Sequence, residues 1–352
     1  MERLMCLVGI ACGILAVLGL YAGAPAAHAA AAEDRAKIFE AARKEGEVTL
    51  ATSGPGEQYS QVLRAFERKH PGIKTNLYRN PSAKIIEKFM TEKRAGKAVI
   101  DVMQMTEIPV YMRWKKEGLL LEYRSPEGES MPAEFKDPGF WYSSRFAVMA
   151  IVTNTKYVPK GSIKSYTDLA KPEFVGKWKG KVTGSDPRYR GSGLEQYFAL
   201  RERHGADWWK PFAGLNIKWA TGSGQEESWL ASGEVVASIG LLTYRAAHAI
   251  DQGVPLEIVW PAEGAIPAPT AHVIVSNAPH PNAAKLLSDF LLSTEGQKLV
   301  VDTFTGVSFR PDATMKYHPP FNQMKFVPVD YEKFSSTDRE KLLNEWRAIF
   351  GF

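Results

Sequence analysis

Cysteine is almost missing from this chain: Cys6 and Cys12 are the only two in 352 residues. Both fall in the first 29 residues, which read as a cleaved leader. A mature chain beginning after Ala29 would have none. That excludes disulfide stapling, thiol catalysis and cysteine-ligated zinc. Stability must then come from an apolar core, which about 320 residues rich in Leu, Val, Phe and Trp can supply. Long apolar runs are also missing beyond Tyr21, so nothing after the leader is expected to span a membrane. Dense basic runs are missing as well. The 44 Lys and Arg are interspersed among 39 Asp and Glu, which argues against a nucleic-acid partner. The leader removes one charge of each sign (Glu2 and Arg3), so the net charge of +5 is unchanged, a balance suited to small anions. Finally, there is no Gly-x-Ser-x-Gly elbow, no His-Glu-x-x-His and no paired-carboxylate motif, and the histidines occur singly. These gaps weigh against the alternative of a secreted α/β hydrolase.

The leader itself has a charged start, an apolar stretch from Leu4 to Tyr21, and small residues ending Ala27-His28-Ala29. This is the layout of a secretory signal peptide. An uncleaved anchor fits less well because no basic stop-transfer flank follows, and neither Cys6 nor Cys12 is preceded by a lipoprotein box. Export to the periplasm is expected.

Past residue 33 helical and strand patterns alternate. Helices are expected at 35–45, 57–70, 83–94 and 108–117, with strands at 47–53, 73–80 and 98–105 between them. This βαβαβ order implies a parallel sheet covered by helices. Residues 140–158 form a long run of aromatic and β-branched residues without helical period. A second alternating series follows, with strands at 180–186, 216–221, 235–242 and 256–261 and helices at 192–204, 207–215, 224–232 and 244–252. Another extended run, 267–278, precedes helices at 281–292, 295–304 and 336–350. Two α/β units joined by two extended segments indicate two lobes, 33–152 plus 272–352 and 153–271, with a cleft between them.

Several stretches resemble the periplasmic solute-binding proteins of ABC importers, in the type II group that includes ferric-ion, thiamine, polyamine and phosphonate binders. They include FERKHPGIK (66–74), IDVMQM (100–105), WKKEGLLLEY (114–123) and VTNTKYVP (152–159). In the second half they are SYTDLAKPEFVGKWKGKV (165–182), LASGEVVASIG (230–240), GVPLEIVWPAEG (253–264) and NAPHPNAAKLLSDFLLSTEGQKLV (277–300). The resemblance implies a two-lobed α/β fold of periplasmic binding protein type II. It also implies a non-enzymatic, cofactor-free receptor that closes on a small solute and presents it to an inner-membrane permease. A monomer is expected, with hinges near 152–154 and 268–272.

In this topology ligand contacts come from loops after strand ends. In the first lobe these place Ser53, Gly54, Ser82 and Thr106, where glycine allows close approach and hydroxyls donate hydrogen bonds; the Ser-Gly-Pro-Gly loop is equally good turn chemistry. In the second lobe they place Arg188, Arg190, Ser192, Thr221, Thr243, Tyr244 and Arg245. Arg188 and Arg190 precede Gly191-Ser192-Gly193 at a helix start, a combination suited to a carboxylate, phosphate or phosphonate. Of the two, Arg190 is expected to reach the solute. The alternative is that one arginine pairs with Asp186 or Glu195 while the other faces water. Ferric binders of the group often carry two adjacent tyrosines where this chain has Thr243-Tyr244. A ferric site would therefore rest on Tyr244 with a synergistic anion; Tyr244 with Arg245 reads more naturally as polar recognition of an organic anion, and the alternative is a core tyrosine with its hydroxyl at the rim. Trp208 and Trp209 read as core, and Trp141 and Tyr142 as core or cleft lining. For Arg145 the pattern leaves cleft and solvent open.

Overall fold

Short apolar strands that alternate with amphipathic helices bury both surfaces only as a helix-covered sheet. The computed structural model describes residues 23–352, and it has that architecture. The expected leader segment 1–22 lies outside the described residues, and the expected cleavage point after Ala29 falls inside a helix, Gly23–Glu45. Among the described residues no helix is long and apolar enough to cross a membrane.

The strands in chain order are β1 (Glu47–Thr52), β2 (Lys74–Arg79), β3 (Val102–Met105), β4 (Lys136–Asp137), β5 (Trp141–Asn154), β6 (Val182–Ser185), β7 (Lys218–Ala220), β8 (Ala237–Leu242), β9 (Leu256–Val259) and β10 (Ile266–Ile274). They pair in the order β2-β1-β3-β10-β5-β8-β6-β7, with β4 and β9 joined to β5. Within the first unit β1 is parallel to β2 and β3. Within the second, β6 is parallel to β7 and β8. Parallel neighbours need crossover helices, and these are the helices expected from the 3.6-residue periodicity. The two extended runs are the antiparallel strands β5 and β10.

β5 is what joins the two units. Its first part pairs with β10, from Tyr142 opposite His272 to Met149 opposite Ile266. Its last part pairs with β8 and β9, ending with Asn154 opposite Leu256. Separate cores lie on the two sides. One is built from Val48, Leu50, Phe66, Leu287 and Phe290, the other from Val182, Leu194, Phe198, Trp209 and Ile239.

The chain end departs from expectation. Within 272–352, expected with the first lobe, the helix Arg339–Phe350 packs against the core built from Val182, Leu194 and Trp209. Its Trp346 is fully buried and stands edge-on to Trp219 at 5.0 Å, and Glu345 accepts hydrogen bonds from Arg201 and Tyr197. A second helix, Tyr331–Ser336, lies between the two bodies, with Tyr331 packed beside the first-lobe cluster and Phe334 against Phe198.

Candidate functional site

Successive side chains of a strand point to opposite faces, so Arg145 and Ala147 project from the same face of β5. Across the antiparallel register they meet Thr270 and Ala268 of β10. Thirteen of the fourteen residues of β5 are buried, and Arg145 is the exception. Alanine at 147 and 268 leaves space in front of the strands, and a cavity of about 380 Å³ opens there. Its walls are the starts of three helices that follow strand ends. Thr106 and Glu107 come from the turn after β3, and Pro109 and Val110 from the start of the helix Ile108–Lys116. Gly191, Ser192 and Glu195 come from the helix Gly191–His204 after β6, Leu242 from the end of β8, and Tyr244 from the helix Thr243–Asp251 that follows it. Tyr331 and Phe334 close the remaining side. A cleft at the carboxyl ends of strands, where helix N-termini converge, favours anions through free backbone N–H groups and helix dipoles. None of the three helices has a side-chain cap at its start.

Arg145 carries the electrostatics of this wall. One Nη donates to Thr270 Oγ1 at 3.1 Å, the guanidinium lies 5.3 Å from the Phe304 ring, and Nε is buried without a partner. No described carboxylate forms an ion pair with it. Behind it, Thr52 Oγ1 donates to Gln104 Oε1 at 3.2 Å and Gln104 Nε2 donates to Ser144 Oγ at 2.7 Å. Burial raises the pKa of the Tyr59 phenol, and the charge of Arg145 pulls against that rise.

Two carboxylates face the same space. Glu195 accepts a hydrogen bond from the Tyr331 hydroxyl at 2.6 Å. Burial pushes its carboxyl up to about 7, with the Tyr331 bond pulling the other way. Glu107 Oε2 is buried with no hydrogen-bond partner.

The structure brings Thr106, Ser192 and Tyr244 of the expected contacts to the cavity, and it turns the arginine expectation around. Arg188 grips Asp186, with Nε 3.0 Å from Oδ1 and Nη2 2.7 Å from Oδ2, and lies 4.2 Å from the Phe352 ring. Arg190 donates to Ser185 Oγ at 2.9 Å and to Glu226 Oε1 at 2.8 Å. Arg245 pairs with Glu227 at 2.9 Å. The alternative reading of the arginines is therefore nearer the geometry: Asp186 takes one, and Glu226 rather than water takes the other. Gly193 also has a packing role. A Cβ there would sit 2.4 Å from the Ser185 carbonyl oxygen, so the helix start can rest on β6 only with glycine.

The other expected contacts lie away from the cavity. Ser53 and Gly54 follow β1 in a turn braced by a Gly54 N–H bond to Thr52 Oγ1 at 3.0 Å, and a Cβ on Gly54 would strike the Tyr59 ring at 2.3 Å. Ser82 begins the helix Ser82–Ala95. Thr221 is exposed and bonded to Gln225, while Thr243 is buried. Trp141, Tyr142 and Trp209 are core, with the Tyr142 hydroxyl accepting from the N–H groups of Ser125 and Gly139. A second cavity of about 380 Å³, beside His280 and Lys88 at the far edge of the sheet, lies away from the crossover strands. Its charged groups are already paired, His280 with Asp101 and Lys88 with Glu92.

Arg188→Ala is expected to cost about 1–2 kcal/mol of stability, because Asp186 is left buried without its partner while Arg188 itself is partly solvated. It should leave solute affinity unchanged, as a denaturation curve and a titration on the same variant would show.

Residues 97–335 match the family profile described as bacterial extracellular solute-binding protein, and the chain belongs to that family. The gamma-aminobutyric acid-binding protein of Pseudomonas aeruginosa is 28% identical over 274 residues, covering 71% of each chain. Among solved structures, the periplasmic binding protein AfuA of Actinobacillus pleuropneumoniae with fructose-6-phosphate bound is 25% identical, has a TM-score of 0.66, and covers 87% of this chain and 99% of its own. Iron-bound HitA from Pseudomonas aeruginosa superimposes with a TM-score of 0.68 at 19% identity, over 86% of this chain and 99% of its own, a likeness of fold alone. The fold is that of type II periplasmic binding proteins.

Proposed function

We propose that this protein is a periplasmic receptor that captures a small organic solute through an anionic group and delivers it to an ABC importer. The observation that carries the reading is Arg145: a guanidinium at the wall of the inter-lobe cavity, free of any described carboxylate, facing three helix starts. A half-buried charge with no ionic partner is costly to keep, and a carboxylate, phosphate or phosphonate in the cavity would repay that cost with charge-assisted, bidentate hydrogen bonds. Two relatives fit the reading by their names, one for gamma-aminobutyric acid and one with fructose-6-phosphate bound.

Capture works by closure. β5 and β10 run from one lobe into the other, and β5 changes partner near 149–150, so small dihedral changes there, somewhat before the expected 152–154, and along 266–270 would swing the lobes together over the solute. The closed form is then the one offered to the permease. No residue needs to do chemistry in this cycle.

Iron is the competing cargo. Tyr244 lines the cavity, but the other tyrosine there, Tyr331, already donates to Glu195. A hard ferric ion calls for several anionic oxygen ligands, and the arginine on the wall would repel it. Thermal-shift titration with organic phosphates, phosphonates and carboxylates beside ferric citrate tests the choice. Stabilisation by organic anions in the absence of iron is expected. Stabilisation by ferric ion alone, in a coloured complex, would overturn the reading.

A further inference from the structure

We infer that the solute is a zwitterion, whose cationic group, a primary ammonium, is taken by Glu107 and Glu195 while Arg145 holds its anionic end. This rests on the reading of the cavity as an organic-anion site and adds the second pole. A cavity for a simple anion would gain nothing from carboxylates in its lining, since they repel the ligand and oppose the helix dipoles. Yet two of the side chains in this lining are glutamates, and neither has a cation. Lys, Arg and His pair with carboxylates at many places in the molecule, but no described basic group forms an ion pair with Glu107 or Glu195. Nor does Arg145 pair with either of them, although all three border one space of about 380 Å³. The cavity thus holds one guanidinium and two carboxyl groups with no ion pair among them.

The two carboxylates differ in how they are held. Glu107 stands at the N-cap position of the helix Ile108–Lys116 without capping it. Its buried Oε2 has no partner, and the nearby Tyr111 hydroxyl has none either. Glu195 lies one turn into the helix Gly191–His204, and among the described residues its carboxyl has one hydrogen-bond partner, the Tyr331 hydroxyl. One oxygen is thus fixed by Tyr331, leaving the other to accept from an ammonium, whose three donors match the acceptors offered by two carboxylates. The glutamates sit on the walls contributed by opposite lobes, Glu107 from the first and Glu195 from the second. A cation bridging them would favour the closed form by contacts that only closure completes.

The test compares matched probes that differ only in the amino group: 4-aminobutyrate against butyrate, and 2-aminoethylphosphonate against ethylphosphonate, with fructose 6-phosphate as an anion lacking any amine. Affinities are read by calorimetry on the purified protein and on Glu107→Gln and Glu195→Gln, both near-isosteric. We expect at least one amino-bearing probe to bind about tenfold or more tightly than its deamino partner. Each glutamine variant should shrink that ratio severalfold while leaving the deamino probe as tight or tighter. Equal binding within both pairs, or binding of fructose 6-phosphate alone, overturns the zwitterion and leaves the organic-anion site standing. A ratio unchanged in both variants overturns the role of the two glutamates. If no organic probe binds and ferric citrate does, the anion reading falls, and the zwitterion falls with it.

Discussion

Arg145→Ala is expected to weaken binding of the anionic solute by about one to two orders of magnitude, the loss that follows when a bidentate, charge-assisted contact worth roughly 1.5–3 kcal/mol is removed from a partly desolvated site. The unliganded protein should hardly notice. In its absence the guanidinium gives up one hydrogen bond to Thr270 at 3.1 Å and one contact with the Phe304 ring at 5.3 Å, each worth about 1 kcal/mol or less. Against that loss stands the removal of a charge with a buried, unpartnered Nε, which lowers a standing desolvation cost. The apo melting temperature should therefore stay level or rise. Affinity falling while apo stability holds is the signature of a group kept for the ligand and not for the fold. Arg145→Lys, which keeps the charge and loses the fork, should fall between wild type and alanine. Affinity unchanged in Arg145→Ala would place the anion elsewhere.

The alternation of helical and extended patterns is local, and it places every strand to within a few residues except β4, a two-residue strand at Lys136–Asp137 too short to carry a period. It also identified β5 and β10 as the segments that join the lobes. Loops after strand ends were legible for the same reason, which is how Thr106, Ser192 and Tyr244 came to be named. The side of β5 facing the cavity is another matter. A strand buried on both faces shows no polar alternation to orient it, so Arg145 could be assigned to cleft or solvent only once β10 was seen opposite it. Partner choice is equally non-local. Nothing near Arg190 in sequence announces Glu226, 36 residues on, and the turn chemistry around Gly191 and Gly193 reads the same whether glycine admits a ligand or a strand carbonyl. The helix Arg339–Phe350 has an apolar face but no signal for which lobe covers it. Trp219 and Trp346 settle that by meeting.

Arg190→Ala should then be a stability variant and not a binding variant. Glu226 is fully buried. Its Oε1 accepts from Ser185 Oγ at 2.6 Å and Arg190 Nη1 at 2.8 Å, and its Oε2 accepts from Ser238 Oγ at 3.0 Å. The cluster ties β6, β8 and the helix Ser223–Ser232 together. Removing the arginine leaves a buried anion with two hydroxyls for company, a change that costs about 3–5 kcal/mol in comparable buried pairs. The pH dependence carries the sign of the effect. Burial raises the Glu226 carboxyl above its ordinary value, and the attraction of Arg190 is one of the forces pulling it back. Without Arg190 the folded-state pKa must climb further. A carboxyl whose pKa is higher folded than unfolded costs stability above the unfolded pKa, and that cost disappears as falling pH protonates it. The gap between wild type and Arg190→Ala should therefore be widest at neutral pH and narrow as the pH is lowered, in parallel denaturation series. Pairing the change with Glu226→Gln should recover part of the loss, since a neutral amide can still bond Ser185 and Ser238. Solute affinity of whatever fraction remains folded should match wild type. A variant that melts normally and binds tenfold more weakly would return Arg190 to the ligand and take the anion clamp back to the helix start at Gly191.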